Sequence, residues 1–358
     1  MRVIVTGATG CVGQAAVRAL RAAGHAVHAY VRDAEAAGSL GDLGATLFEG
    51  TLADPNPLAD AAKGCDVMVH AAGVSSHRAS RAALEWTHVA GTENALNAAR
   101  HAGCRKLVHV SCADVSLCNA NRRHWSEDQA AIGAPVDDFV RTKQEAEELV
   151  VTSGRPGFST IALRPALVWG PGDTSFLPAV CAEGLRGGVR LVGRGDNLVA
   201  TTYAGNLAHA IVLASALGRG DGGAYHIVDE ELTLARDFFA ELCRAVGLPP
   251  PRRGAAYPVA YAAASVRQRR RAKGAWRADV IRRGRTSAFD ASRARTTLGY
   301  RAPIDLATGM AALARWAAQV GGAEAIANMA RPAASDADVA EQLAYAGAEG
   351  EGRARRHD

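Results

Sequence analysis

Hydrophobic positions near the start of the chain change their period within a few residues. Val3, Ile4 and Val5 form a short β-branched run, and a helical pattern that ends at Gly24 follows soon after. A continuous apolar run of this length is typical of a strand that is buried on both faces of a sheet. The sequence therefore predicts a buried strand that leads into a helix.

The same alternation continues along the chain. Further strands are predicted at 27–31, 45–50, 66–73, 106–112, 159–165 and 224–229, and helices at 58–64, 83–103, 128–152, 233–247 and near 304–319. The segment after the second strand is predicted to be a loop with little helix. Strands that alternate with helices predict an α/β fold with a doubly wound parallel sheet.

Three glycines stand between the first predicted strand and its helix. Gly7 and Gly10 would let backbone amides approach a pyrophosphate at the positive end of the helix, and Gly13 would let the helix pack closely on the strand. Because the glycines follow a strand and open a helix, they indicate a dinucleotide site. We expect this site to include Gly7, Thr9, Gly10, Cys11, Val12 and Gly13.

The regular pattern loosens after about residue 170, where Gly and Pro interrupt short elements. We therefore expect residues 1–170 to form mainly the dinucleotide-binding, Rossmann-type domain. Residues 171–320 are expected to form mainly a smaller C-terminal substrate lobe, interleaved with the first domain. Residues 321–358 are small, polar and Ala-rich, which predicts a marginally helical or disordered tail.

The composition excludes several classes of protein. The 358 residues are 48% apolar and 22% charged, which suits a folded protein with a sizeable core. No run of about 18 apolar residues predicts a transmembrane segment, and the N terminus lacks the pattern of a secretory signal. Seven cysteines without a Cys-x-x-Cys pair argue against a disulfide framework or a zinc ribbon. We expect a cytoplasmic protein with no metal site.

Several segments together resemble the extended short-chain dehydrogenase/reductase (epimerase/dehydratase) family, in its 3β-hydroxysteroid dehydrogenase-like branch. They are the glycine spacing, HAAG at 70–73, VAGTENAL at 89–96, LRPALVWGPGD at 163–173, and the later stretches 201–214 and 289–300. The resemblance covers roughly residues 1–318. It implies an NAD(P)-dependent oxidoreductase that acts on a carbonyl or alcohol of an apolar lipid, steroid-like or secondary metabolite. It also implies cofactor contacts from Ala71, Ala72, Gly73, Lys143 and Pro165.

The end of the second predicted strand bears on the choice of nucleotide. Val31 stands where many NAD enzymes have an acidic residue for the ribose hydroxyls, and the Arg32 guanidinium could pair with a 2′-phosphate. The resemblance to the Val-Arg-Asp ending of dihydroflavonol reductase-type enzymes also implies NADP. A surface Arg32 with Asp33 on the ribose would permit NAD. NADP is therefore the preferred cofactor, with NAD as the alternative; Thr51, where the family has Asp, weakens adenine recognition.

The catalytic pattern of the family is altered in this chain. The resemblance implies a Tyr acid/base, a Lys four residues later on the same helix face, and a Ser or Thr hydroxyl. Lys143 matches the Lys, but Phe139 occupies the Tyr position, and a phenyl ring cannot donate a proton. Cys112 occupies the Ser position, with Ser111 one residue before it, and His88 replaces the Asn of the family's Asn-x-x-Gly-Thr helix. These five residues are the candidate catalytic group.

Four interpretations of this altered pattern are open. In the preferred one, the protein is a reductase whose proton donor has moved; the candidates are His88, His124, Asp138 and Cys112, and histidine suits the role because its pKa of about 6.5 lies near working pH. The second is a non-redox enzyme, such as a cyclase, isomerase or lyase. The third is a nucleotide-binding sensor or structural protein. The fourth is an engineered Tyr-to-Phe variant, which would explain Phe139 but not Cys112 or His88.

A stretch of the C-terminal half is rich in basic residues and could bind an anionic partner. Residues 252–285 carry eleven basic residues and one acid, Asp279. The stretch predicts either a solvated helix face or a surface for an anionic group, such as a carrier-protein phosphopantetheine arm, a coenzyme A moiety or lipid headgroups. Few aromatic residues besides Trp276 interleave with it, which argues against nucleic acid. We expect a small-molecule substrate; a carrier-bound substrate and a homodimer are left open.

Overall fold

The computed structural model describes residues 1–270, 275–330, 335–337 and 339–340. The strands formed by these residues are β1 Arg2–Thr6, β2 Ala26–Val31, β3 Thr46–Glu49, β4 Val67–His70, β5 Lys106–Val110, β6 Arg122–Trp125, β7 Ser159–Pro165, β8 Leu167–Trp169, β9 Leu198–Val199, β10 Thr201–Tyr203, β11 Ala224–Ile227, β12 Thr233–Leu234 and β13 Ser287–Phe289. The α-helices are α1 Cys11–Ala22, α2 Gly38–Asp42, α3 Pro55–Ala62, α4 Arg81–Leu84, α5 Gly91–His101, α6 Asp138–Thr152, α7 Phe176–Leu185, α8 Ala204–Ala214, α9 Ala235–Ala245, α10 Tyr257–Arg269, α11 Arg277–Gly284, α12 Leu306–Val320 and α13 Gly322–Asn328.

One seven-stranded parallel sheet organises the molecule. Its strand order is β11-β7-β5-β4-β1-β2-β3. Val3, Ile4 and Val5 of β1 have no exposed surface, as expected for a strand that is covered by helices on both faces. Because β1 pairs with β2 on one side and with β4 on the other, the crevice used by nucleotides in such folds lies at the carboxyl ends of β1 and β4. The predicted doubly wound sheet is confirmed.

A second hydrophobic core lies in the C-terminal half of the chain. It includes the buried side chains of Trp169, Phe238 and Leu313. Two small sheets accompany it: β8 pairs with β10, and β12, β9, β13 and β6 form a four-stranded sheet in that order. The buried carboxylate of Asp229 ties the region together, because it accepts hydrogen bonds from Trp169 Nε1 and Asn206 Nδ2.

The helix predicted over residues 128–152 begins ten residues later than expected, at Asp138. Gly133 has a φ of +77°, which lies outside the helical region. Pro135 also disfavours the helical conformation in the residue that precedes it. Asp137 then caps α6 by accepting a hydrogen bond of 3.0 Å from the Val140 amide. The prediction that residues 128–137 are helical was wrong, because these loop and capping residues outweigh the helix-favouring composition of the segment.

Two other elements differ from the sequence pattern. The helix predicted over 83–103 runs as α4, a π-helical turn at Glu85–Ala90 and then α5. A π-helical turn inside a helix is rare and is frequent at functional sites, and this one carries His88. The loop expected after β2 contains the short helix α2, which buries Leu40.

The C-terminal segment expected as a tail begins with an ordered helix. Helix α13 packs on α7 and buries Ile326 completely. Residues 331–334, 338 and 341–358 of that segment lie outside the described residues, as do residues 271–274 of the basic stretch. None of the helices in the described part of the chain combines the length and hydropathy needed to span a membrane.

Candidate active site

The loop between β1 and α1 packs so tightly that its glycines cannot be replaced freely. Gly7 has a φ of +67°, and a Cβ atom on it would lie 2.5 Å from the Ala72 amide nitrogen. A Cβ on Gly13 would lie 2.1 Å from the Gly7 carbonyl oxygen. The first amides of α1 have no partner within the helix, and they carry the positive end of its dipole. This arrangement fits the pyrophosphate of a dinucleotide.

The other predicted cofactor residues lie along the same edge of the sheet. Thr9, Cys11 and Val12 belong to the glycine loop and the start of α1, Ala71 and Ala72 follow β4, and Pro165 ends β7. The Cys11 thiol donates a weak hydrogen bond of 3.6 Å to the Pro171 carbonyl, and burial raises its pKa. The loop is thereby linked to the segment after β8.

The end of β2 exposes Arg32 and Asp33. The Asp33 carboxylate accepts a hydrogen bond of 2.9 Å from the Ala36 amide and so starts the next turn. Thr51 has a local role as well, since its hydroxyl accepts a hydrogen bond from the Ala53 amide and its carbonyl accepts one from the Tyr30 hydroxyl. The Arg32 side chain is exposed at the end of β2, where the sequence analysis expects it to pair with a 2′-phosphate.

Lys143 lies on α6 where that helix passes the ends of β4 and β5. Its Nζ donates a hydrogen bond of 3.4 Å to the Val110 carbonyl, and a Cβ on Gly73 would lie 3.5 Å from it. The side chain is almost fully buried, and this burial lowers the pKa of its ammonium group. The structure thus brings Lys143 and Gly73 together at the edge that carries the glycine loop.

Phe139 stands one turn before Lys143 on α6 and is 4% exposed. Two histidine rings pack against it: the His77 ring has its centroid 4.0 Å away, and the His88 ring meets it edge-on at 5.3 Å. Two imidazoles therefore contact the side chain at the position where the resemblance implies a phenol.

Ser111 and Cys112 follow β5, and their side chains have different surroundings. The Ser111 hydroxyl donates a hydrogen bond of 2.6 Å to Glu147, whose carboxylate also accepts from Arg164 Nε at 2.9 and 3.0 Å. Cys112 packs against the apolar cluster around Phe139. Burial raises the pKa of the Cys112 thiol to about 12, so it remains protonated at neutral pH. A protonated thiol is a poor nucleophile.

His88 has protein partners at both ring nitrogens. Nε2 donates to the Val74 carbonyl at 2.9 Å, and Nδ1 accepts from the Thr142 hydroxyl at 2.9 Å. Burial, together with the nearby Lys143 ammonium, holds the pKa of His88 well below its ordinary value. His88 is therefore a neutral imidazole that fixes the loop after β4 to α6.

His77, which the sequence analysis did not select, is the most strongly connected histidine near Phe139. Its Nδ1 donates to Asp137 Oδ2 at 2.7 Å, and its Nε2 lies 3.5 Å from Asp114 Oδ2. Arg282 bridges the same end, with its Nε 2.7 Å from the Asp114 carboxylate and its Nη2 in contact with His77 Nε2. Burial and Arg282 act to lower the pKa of His77, but the hydrogen bonds to Asp114 and Asp137 outweigh them and raise it.

The remaining proton-donor candidates lie differently. His124 is exposed on β6, where it has a φ of +50°. Asp138 is half-exposed and forms an ion pair of 3.2 Å with Arg141. Among the described residues, no group of three or more His, Cys, Asp or Glu side chains is placed to hold a metal ion.

The sequence matches a known family over most of its length. The sequence profile of the 3-beta hydroxysteroid dehydrogenase/isomerase family matches residues 4–255. The chain is 33% identical over 325 residues to a 4-hydroxy-2-methyl-3-oxo-4-farnesyl-3,4-dihydroquinoline-1-oxide ketoreductase of Stigmatella aurantiaca, covering 87% of this chain and 96% of that protein. It is also 33% identical over 278 residues to a 2-alkyl-3-oxoalkanoate reductase of Stenotrophomonas maltophilia (strain K279a), covering 75% of this chain and 83% of that protein.

Solved structures share the fold at lower sequence identity. A UDP-glucose 4-epimerase of Thermotoga maritima matches with a TM-score of 0.71 and 20% identity, over 89% of this chain and 99% of its own. A dTDP-glucose 4,6-dehydratase of Streptomyces venezuelae, solved with NAD bound, matches with a TM-score of 0.70 and 24% identity, over 89% of this chain and 97% of its own. Both likenesses concern the fold.

Proposed function

Because the chain belongs to the 3-beta hydroxysteroid dehydrogenase/isomerase family and is an oxidoreductase of the extended short-chain type, we propose that it reduces a ketone of an apolar lipid, steroid-like or secondary metabolite with NADPH. The observation that carries this proposal is the position of the Lys143 ammonium. It lies between the Val110 carbonyl and Gly73, at the sheet edge that also carries the glycine loop. A cation at this place can bind a nicotinamide ribose and stabilise negative charge that develops on a substrate oxygen.

The residues around the glycine loop fit a dinucleotide. The amides at the start of α1 would hold the pyrophosphate, and Lys143, beside Gly73, would hold the nicotinamide ribose. When bound, the reduced nicotinamide supplies a hydride to the substrate carbon. Arg32 supports NADP over NAD, because an exposed guanidinium at the end of β2 can form a charge-assisted pair with the 2′-phosphate.

The surroundings of Phe139 support an apolar substrate. Phe139 belongs to a buried apolar cluster whose other members are Leu84, Leu117, Val140, Ala278 and Ile281. Val74, Cys112 and Tyr261 pack against this cluster and are only partly buried, so they form its accessible margin. Such a margin suits an alkyl chain or ring system better than a sugar. The names of the two curated relatives, a ketoreductase and an oxoalkanoate reductase, support the same class of substrate.

A test needs the purified protein, NADPH and probes of this class. We expect a 2-alkyl-3-oxoalkanoate or a 3-oxosteroid to be converted to its alcohol with one NADPH consumed per product. The variant Lys143→Met should reduce kcat by at least about a hundredfold. Lys63→Met, which changes an exposed lysine paired with Asp60, is the matched control and should leave kcat unchanged.

The alternatives give different results in the same experiment. Product that forms without consumption of NADPH would favour a cyclase, isomerase or lyase, which the missing phenol at Phe139 and the protonated thiol of Cys112 would suit. Tight NADPH binding without turnover of any carbonyl probe would favour a nucleotide sensor. Either result would overturn the proposal.

A further inference from the structure

A proton donor is needed near Phe139, and the structure offers one in the loop after β4. Reduction of a ketone places negative charge on its oxygen, and in this chain Phe139 cannot neutralise that charge. The His77 ring packs against the Phe139 ring in a tilted arrangement, with a centroid distance of 4.0 Å and an interplanar angle of 31°. An imidazole therefore packs directly against the side chain that replaces the family's tyrosine.

The His77 ring is fixed to the same helix that carries Phe139 and Lys143. Asp137 accepts the Nδ1 proton of His77 through Oδ2, while its Oδ1 caps the first turn of α6. The side chains of His77 and Asp137 are 5% and 7% exposed, so water competes little for this hydrogen bond. A carboxylate that orients one imidazole nitrogen leaves the other nitrogen for proton transfer, as in Ser-His-Asp sites.

The second nitrogen of His77 has partners for both of its protonation states. When Nε2 carries a proton, it points to the carboxylate of Asp114, 3.5 Å away. When Nε2 has lost the proton, the Arg282 Nη2 group can donate to it. Because each state has a partner, release and recovery of a proton leave no unpaired polar group in a buried place. His88 lacks this property, since its two nitrogens are committed to Val74 and Thr142.

We propose that His77, oriented by Asp137, is the catalytic proton donor to the substrate carbonyl oxygen. The assignment rests on the proposed ketone reduction. The substrate carbon would gain the hydride that a bound dihydronicotinamide supplies, and the electron pair of the C=O π bond would move to oxygen. The Nε2–H bond of His77 breaks as the O–H bond forms, which leaves an alcohol and a neutral imidazole. Solvent then returns the proton to Nε2.

Charged and titratable groups from every neighbouring element act on this proton. Asp137 lies before α6, Asp114 lies in the 3₁₀ turn Ala113–Ser116, and Arg282 and Asp279 lie on α11. His88, on the π-helical turn, stays neutral. With the two hydrogen-bonded carboxylates opposing Arg282, the imidazole is held protonated to higher pH than an ordinary histidine.

The test compares His77→Gln with the exposed control His101→Gln in wild-type and Phe139→Tyr backgrounds. With a 2-alkyl-3-oxoalkanoate and NADPH, His77→Gln should lower kcat by about 10²–10⁴-fold while nucleotide binding is unchanged. Adding Phe139→Tyr to His77→Gln should restore most of the lost kcat, because it returns a phenol one turn from Lys143. If His77 had only a structural role, a phenol at position 139 on α6 would not restore the lost kcat.

A second variant keeps the test decisive if His77→Gln does not fold. Asn also caps helices, so Asp137→Asn keeps α6 intact while removing the charge beside His77. In the wild type, kcat should fall as pH rises through the pKa of His77, and in Asp137→Asn this fall should occur at lower pH. NMR titration of the His77 imidazole should show the same downward shift without any substrate.

The outcomes separate this assignment from the proposed reaction. If the wild type consumes NADPH and forms alcohol, but His77→Gln keeps kcat within about threefold or Asp137→Asn leaves the pH profile unchanged, the donor is another group. If the wild type transfers no hydride at all, the proposed reductase function fails, and the donor assignment fails with it. Loss of kcat in His77→Gln with rescue by Phe139→Tyr supports both.

Discussion

The Ser111 hydroxyl donates a hydrogen bond of 2.6 Å to the Glu147 carboxylate. Since Arg164 binds the same carboxylate with its Nε and Nη2 groups, Ser111 takes part in a buried network that joins β5, α6 and β7. A serine that was a candidate for substrate binding is thus occupied by a structural partner. Glu147 rather than Ser111 is the central member of the network.

Removing Glu147 should therefore destabilise the protein. Glu147→Ala leaves the mostly buried Arg164 without its carboxylate, and loss of one partner of a buried pair costs about 3–5 kcal/mol. Glu145→Ala removes a carboxylate from the same helix whose side chain is 44% exposed, and it should cost less than about 1 kcal/mol. Urea unfolding of the two variants measures both values; equal losses would contradict the structural role.

The glycine loop gives a second prediction about stability. An Ala at position 13 would place its Cβ 2.1 Å from the Gly7 carbonyl, so Gly13→Ala should cost about 1–3 kcal/mol and weaken dinucleotide binding. A Cβ on Gly38, in α2, meets no atom within 4 Å, which makes Gly38→Ala the matched control. If thermal unfolding and NADPH binding of the two variants were the same, the close packing of α1 on β1 would be refuted.

The choice of nucleotide should depend on Arg32. One charge-assisted pair with the 2′-phosphate contributes about 1.5–3 kcal/mol, so the protein should bind NADPH at least about tenfold more tightly than NADH. Arg32→Ala should remove the difference by weakening NADPH binding alone. Arg244→Ala, which changes an exposed arginine of α9, is the control. Calorimetry with both nucleotides measures the ratio, and equal affinities in the unmodified protein would refute this assignment.

The pKa of His77 also predicts how stability depends on pH. Its pKa is raised in the folded protein by the hydrogen bonds to Asp114 and Asp137, which outweigh burial and Arg282. The resulting stabilisation is complete below the unfolded pKa of about 6.5 and is lost as pH rises through the folded value. The difference in unfolding free energy between wild type and His77→Gln should thus shrink as pH rises from about 6.5 through the raised pKa of the folded protein. A difference that grows or stays constant would contradict the raised pKa.

If the protein is a reductase, restoring the Tyr and Ser that its family usually has at positions 139 and 112 should not impair its activity. Phe139→Tyr combined with Cys112→Ser returns a phenol and a hydroxyl beside Lys143, so hydride transfer should be preserved or raised. In a non-redox enzyme the same two hydroxyl groups would lower native turnover. Phe48→Tyr, on β3 away from this site, controls for the general effect of an added hydroxyl. Rates measured under saturating NADPH distinguish the two cases.

Local patterns were sufficient to predict the sheet and the glycine loop. The β-branched run of β1 and the glycine spacing are features of adjacent residues, and the parallel, doubly wound arrangement follows from alternation with helices. The start of α6 was missed because Gly133, Pro135 and the capping Asp137 outweigh a helical composition.

The candidate site was only partly predictable. Lys143 could be placed from its spacing to Phe139 on one helix, but His77 could not. Its partners Asp137 and Arg282 are 60 and 205 residues away in the sequence, and only the fold brings them together. His88 was selected from its motif position, yet the hydrogen bonds that keep it neutral come from the loop after β4 and from α6.

The most direct test of the central claim follows a labelled hydride. The protein is mixed with NADPH deuterated at the transferable C4 position and a 2-alkyl-3-oxoalkanoate, and the product is analysed by mass spectrometry. The account predicts an alcohol that contains one deuterium per molecule and an equal amount of NADP⁺. Product without deuterium and without consumption of NADPH would contradict it.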